Sequence, residues 1–248
     1  MLKKCFLIVI LSLVSVFTGC SAITAKQQLR IGIDPTFLSS PVGTKQNLVY
    51  AFTIELFAEI FKNSRYTPTY KELSFDNGLE SLSSHSTDVI ISSLSEDIIT
   101  DSTYNFSSTF LSLGEVLVTR ADEPLTTFND LNGKIIAIQR WPNLISLFKN
   151  YPDVNLTYYT FIPDVLENIS NYTIDGAIIP YLSLASHLSM EYRHLLKVHP
   201  KKLTELGLRL LTLSGKNEAV IQTFNNQLAL LIKNGTVETL LEKWNLTL

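Results

Sequence analysis

Cysteine is almost missing from this chain of 248 residues: there are two, Cys5 and Cys20, both within the first twenty positions. A disulfide-stapled fold and a thiolate metal site each need more. Histidine is scarce as well, and the four present, His85, His187, His194 and His199, show no HExxH or comparable ligand spacing. Each reads as a surface or turn residue. Charged residues are few, at 17%, and form no basic cluster, so nothing invites nucleic acid. There is no glycine-rich phosphate cradle, no nucleophile–base–orienter set, no low-complexity tract and no internal repeat. No metal and no cofactor is implied.

What is present begins with the N-terminus. Met1-Leu2-Lys3-Lys4 precedes an apolar run from Cys5 to Phe17, and Thr18-Gly19-Cys20-Ser21 follows. That pattern is a secretion signal. The run of about 13 residues spans roughly 20 Å as a helix, short of a bilayer core of about 30 Å, which disfavours a permanent span. Small residues ahead of Cys20 resemble a bacterial lipobox, although Phe17 stands where leucine is usual. Such a site implies cleavage before Cys20 and attachment of diacylglycerol, with palmitate among the acyl chains, enough to hold the protein at a membrane. The alternative is an ordinary cleavable signal with Cys20 incidental. Residues 1–19 are then the signal and residues 20–28 a lipidated tether. Lys+Arg 20 against Asp+Glu 23 gives −3, and removing Lys3 and Lys4 leaves 18 against 23, or −5.

The remaining residues, about 220, can bury one large core or two modest ones. Leu29 to Ile33 alternates as a strand, stopped by Asp34-Pro35, and Leu48-Val49-Tyr50 reads as a second short strand. Phe52, Leu56, Phe57, Ile60 and Phe61 then recur at helical spacing, an apolar stripe that faces a core. A helix start over Phe75 to Leu82, a buried strand Asp88 to Ser92 and a strand Gly114 to Thr119 follow. From Phe128 onward the expected order is strand 135–138, helix 143–150, strand 156–159, helix 163–171, strand 175–179 and helix 182–189. A return strand over Leu208 to Leu213 and helices 217–233 and 236–244 complete the chain, with Gly235 between the last two. Strands alternating with helices argue for sheets covered on both faces.

These residues resemble the extracytoplasmic solute-binding proteins of family 3, which serve polar amino-acid uptake systems of the ATP-binding-cassette type. Leu29-Arg-Ile-Gly-Ile-Asp-Pro35 is similar to that family's first strand, and Leu48-Val-Tyr-Ala-Phe-Thr-Ile-Glu-Leu56 to the segment entering its first helix. Phe75-Asp76, Leu82, Asp88 and Ser92-Ser-Leu-Ser95 reproduce a long spaced signature, and Asn217-Glu218, Phe224-Asn-Asn226, Gly235-Thr236 and Glu242-Lys-Trp244 match its tail. The resemblance implies an α/β, two-lobed periplasmic-binding-protein-like fold of type II, with two mixed sheets flanked by helices and joined by two hinge strands. Lobe 1 would comprise residues 29–118 and 210–248 and lobe 2 residues 119–209, with hinge strands near Val116 to Arg120 and Leu208 to Leu213. It also implies a monomer outside the cytoplasm, in the periplasm or at the cell surface, with an ABC-type permease as partner and a small polar solute as ligand.

By the same resemblance the ligand lies at strand C-terminal ends, where open α/β sheets bind. Asp34 and Phe37 follow the first strand, and Phe37 and Phe75 match the rings that sandwich a ligand side chain, the alternative being core packing. Ser92, Ser93 and Ser95 match the turn that holds the polar end, although Ser95 is also an apt N-cap ahead of Glu96-Asp97.

Four departures stand against those matches. Thr100 replaces the arginine that grips an α-carboxylate, and Asp97 replaces a threonine. Trp141-Pro142 replaces a Gly-Thr pair, and Pro180 replaces the aspartate that meets the ammonium. Charge-assisted bonds are worth roughly 1.5–3 kcal/mol each, so losing several argues against a free α-amino acid held in the usual way. Candidate replacements are Arg140 for positive charge, Asp97 or Glu96 for an amine, and Trp141, Asn143 and Tyr181 for stacking or hydrogen bonds. The alternatives are a solvated Arg140 and acids that favour a helix N-terminus. Beside capture of an amino-acid derivative, short peptide or similar solute, two other functions stay open: a dehydratase-like enzyme using Asp97 or Glu96, and a lipoprotein without ligand.

Overall fold

The computed structural model describes residues 26–33, 46–74, 77–94, 102–125, 128–140, 142–188, 190–199 and 201–247. The first sheet holds β1 (Gln27–Ile33), β2 (Tyr66–Glu72), β3 (Val89–Ser92), β4 (Tyr104–Phe106), β5 (Leu111–Ser112) and β11 (Gly207–Leu213). Their order is β2-β1-β3-β11-β4, with β5 also on β11. β1, β2 and β3 are mutually parallel, and β11 runs against β3. The second sheet holds β6 (Glu115–Arg120), β7 (Ile135–Ile138), β8 (Asn155–Tyr158), β9 (Gly176–Pro180) and β10 (Leu196–Val198), in the order β10-β6-β9-β7-β8. Both sheets are mixed, as expected.

Helix α1 (Gln46–Phe61) turns Val49, Phe52, Thr53, Leu56, Phe57, Ile60 and Phe61 inward. It absorbs Leu48-Val49-Tyr50, which were expected as a strand. Val49 stands three residues before Phe52 and four before Thr53, so the helical stripe extends through it and overrides the β preference of three residues. The Thr53 hydroxyl donates to the Val49 carbonyl at 2.7 Å, one turn back.

Phe57 sits at the centre of the first core, with the rings of Phe110 and Phe224 edge-on at 5.2 Å each. Phe224 comes from α7 (Glu218–Lys233), and α8 (Thr236–Lys243) closes the same core with Val237 and Leu240. Gly235 takes φ +80°, a conformation that frees the chain to turn between the two helices. A smaller cluster on the sheet's other face gathers Leu73, Leu82 from α2 (Gly78–Ser83), Ile90 and Leu211.

The second sheet is covered on both faces. Val116, Val118 and Ile179 pack on α4 (Ile162–Ser170) and α5 (Tyr181–His187), and α6 (Met190–Leu195) follows in the chain. Leu117, Ile136, Ile138 and Ile178 pack on the side of α3 (Pro142–Leu147). β2 was not expected because Pro68 interrupts its sequence; it lies at the end of the sheet order, where a missing amide costs no ladder bond.

Among the described residues no strand belongs to both sheets. The expected lobe limits, after residue 118 and before residue 210, fall inside β6 and β11. β6 pairs with β9 from Glu115 onward, and β11 pairs with β5 from Gly207 onward. The chain therefore passes between sheets at Leu113-Gly114 and again between the end of β10 and the start of β11. The two passages are bonded to each other: Leu113 N donates to Leu206 O and Leu203 N to Glu115 O, both at 2.8 Å. A Cβ on Gly114 would collide with the Thr204 carbonyl, so this close approach requires glycine.

Candidate functional site

Strand direction determines where a site can form. β1 and β3 run in parallel, and the register Arg209↔Ser92 puts the start of β11 beside their C-terminal ends. β7, β8 and β9 run in parallel, and the register Glu115↔Pro180 puts the start of β6 beside theirs. Both passages leave from these ends, so the C-terminal ends of the parallel strands in the two sheets are brought to one place. Helix N-termini and strand-end loops collect there, which suits a polar ligand.

On the first sheet, Ser92 is fully buried and its Oγ accepts from the Leu94 amide at 3.2 Å. Ser93 is half-buried beside it. On the second, Arg140 lies with its guanidinium 4.2 Å from the Tyr158 ring centre, stacked across the ends of β7 and β8. Tyr181 opens α5, donates its amide to Gly114 O at 3.3 Å and packs against the cores of both sheets. Asn143 lies in the first turn of α3. Asp34, Phe37, Phe75, Ser95, Glu96, Asp97, Thr100, Trp141 and the lipidation candidate Cys20 lie outside the described residues.

The passages add groups that sequence reasoning missed. The Thr204 hydroxyl donates to Glu115 Oε2. Burial pushes the Glu115 carboxyl above the usual carboxylate range, against the pull of that hydroxyl and of its own amide. The Lys202 ammonium donates to the Ser112 carbonyl at 3.3 Å and sits 4.4 Å from the Tyr181 ring centre, and burial holds it below the usual lysine range. Tyr159 donates its hydroxyl to Ile178 O at 3.0 Å; burial, then the nearby Glu115 charge, push its ionisation upward. Among the described residues, three buried polar atoms near these strand ends have no hydrogen-bond partner: Glu115 Oε1, Gln139 Oε1 and Arg209 Nε. A signal for Glu115 exists in the sequence, a lone acid heading an apolar strand. Lys202 and Thr204 lie in a polar stretch that gives none.

Among the described residues no cluster of three or more His, Cys, Asp or Glu could hold a metal ion, and no helix is long and apolar enough to cross a membrane. The geometry is that of a two-lobed α/β binding protein, with the strand ends of both lobes meeting at paired crossings. The chain belongs to the bacterial extracellular solute-binding proteins, family 3, whose profile matches residues 29–247. It is 23% identical over 243 residues to the ABC transporter arginine-binding protein 1 of Escherichia coli (strain K12), covering 96% of this chain and 98% of that one. It is 24% identical over 221 residues to the L-cystine-binding protein TcyJ of the same strain, covering 87% and 82%. The crystal structure of the L-cystine solute receptor of Neisseria gonorrhoeae, unliganded and open, shares the fold with TM-score 0.68 at 18% identity, over 90% of this chain and 94% of the receptor.

Proposed function

We propose that this protein captures a small polar solute between its two lobes, outside the cytoplasm, and presents it to an ABC-type permease. The observation that carries this reading is the meeting of strand C-terminal ends from both sheets at the paired passages. A solute touching both lobes stabilises the closed arrangement alone, and a permease can then recognise that arrangement. The lobes are residues 26–112 with 207–247, and residues 115–198, with the passages as hinge. Cys20 anchors the cleaved chain to a membrane through its lipid.

The curated relatives named above bind arginine and L-cystine, which supports an amino acid or amino-acid derivative as the solute class. Thr100, Trp141-Pro142 and Pro180 replace the residues by which the family reads a free α-amino acid, so the solute is gripped by other groups or is a modified or short peptide form. Those relatives are binding proteins, which supports transport rather than catalysis.

Thermal unfolding against amino acids, cystine and its derivatives, short peptides and glutathione tests the reading. A compound at one hundred times its Kd stabilises by about 2.7 kcal/mol. For a chain of this size that raises Tm by roughly 5–10 °C. No shift with any compound at millimolar concentration, in a chain that melts cooperatively, would sink it.

A further inference from the structure

Glu115 is fully buried where the chain leaves the first sheet for the second. One carboxyl oxygen is held by the Thr204 hydroxyl of the opposite passage, and the other, Oε1, has no partner among the described residues. A carboxyl withdrawn from water with an unmatched acceptor is costly to keep, and calls for a donor beyond those the described residues supply. Its place in the fold is among the strand ends described above. Glu115 pairs in register with Pro180, the last residue of β9, and so stands at the C-terminal end of the parallel strands. The other described residues at those ends, Gln139, Arg140, Tyr159 and Tyr181, include no acid.

We infer that Glu115 is a specificity residue, its Oε1 receiving a positively charged amine or guanidinium of the bound solute. The inference rests on the solute-binding reading above and names the chemical class of solute: one carrying a cationic nitrogen. Burial pushes the carboxyl upward, and a cation beside it would act in the opposite sense. Because the carboxyl already joins the two passages through Thr204, a cation held there engages the hinge directly. A neutral solute of the same shape leaves Oε1 unmatched and is discriminated against for that reason.

The test is a double-mutant cycle by isothermal titration, with L-arginine, L-lysine, L-cystine and glutathione as probes. Each is titrated into wild type and Glu115→Gln beside analogues in which one cationic group is replaced by a neutral one, such as L-citrulline or the 2-hydroxy acid. For a probe that binds wild type, the expected result is a loss of at least tenfold in Glu115→Gln, a similar loss for the neutral analogue in wild type, and little further loss when the two are combined. Binding by Glu115→Gln within twofold of wild type, or losses that multiply, overturns the assignment while leaving solute capture intact. If Glu115→Gln does not fold, wild type decides alone: every neutral analogue binding as tightly as its parent overturns it. A wild type that binds no probe overturns the solute-binding reading for this class, and Glu115 with it.

Discussion

Asp88 accepts three hydrogen bonds from one residue. Arg30 gives its backbone amide at 2.8 Å, Nε at 3.1 Å and Nη2 at 2.7 Å. Burial alone would raise the Asp88 carboxyl, but the Arg30 guanidinium and amide outweigh it and hold it below the usual range. The pair is partly exposed, so Asp88→Asn should cost only about 1 kcal/mol, a fall of roughly 2–4 °C in Tm. His199 points the same way: burial, then the Lys197 charge, lower its proton affinity, and Nε2 meets the Thr119 hydroxyl at 3.1 Å. Both groups bind protons less readily folded than unfolded, so each stabilises at high pH. The His199 part is full above about pH 6.5 and is lost as pH falls through its lowered folded value; the Asp88 part is lost further down, below about pH 4. Glu115, whose carboxyl burial raises, contributes in the opposite sense on acidification, so the test is the difference in stability between wild type and His199→Gln, which should narrow in chemical denaturation as pH falls from 7.5 to 5. A difference that does not change with pH would contradict the assignment.

Among elements, those that follow one strong local pattern were legible in the sequence and those that depend on a neighbour were not. α1 was expected from Phe52 onward because five large apolar side chains recur at its period, and β7 was read correctly from four apolar residues after Gly133-Lys134. β2 was invisible because Pro68 contradicts a strand unless the strand is known to lie at an edge. β10, with three residues Leu196–Val198, exists only because β6 lies alongside. Of the candidate site, Ser92 and Ser93 were named through the family resemblance, and Arg140 and Tyr181 as candidate replacements on the same loops. Glu115, Lys202 and Thr204 were not, since their roles arise from two passages 80 or more residues apart in the chain lying side by side. That adjacency gives its own prediction. Gly114→Ala places a methyl against the Thr204 carbonyl and should lower stability by about 1–3 kcal/mol, while Gly133→Ala, whose Cβ meets no neighbour, should show only the strain of its φ of +74°. Equal losses in urea unfolding would argue that the passages are not tightly opposed.

At the scale of the molecule, the proposed lipid site lies a short way ahead of the first strand in the sequence. Residues 21–26 separate the proposed lipid site at Cys20 from β1, a reach of at most about 25 Å when extended. Cys20→Ser should move the protein from the membrane fraction to the soluble one after fractionation, with solute affinity unchanged. Retention on the membrane would show that another segment holds it.

The bond between Leu113 and Leu206 has a mechanical consequence. Two ropes lashed together midway let a gate swing about the lashing but not slide along it. Displacement of one half against the other must therefore grow with distance from that point, least at Tyr181 and most at the outer edges formed by β2 and β8. Spin labels at Lys71 and Thr157 should report the largest change in separation when a solute is taken up, and labels at Ser112 and Glu205 almost none.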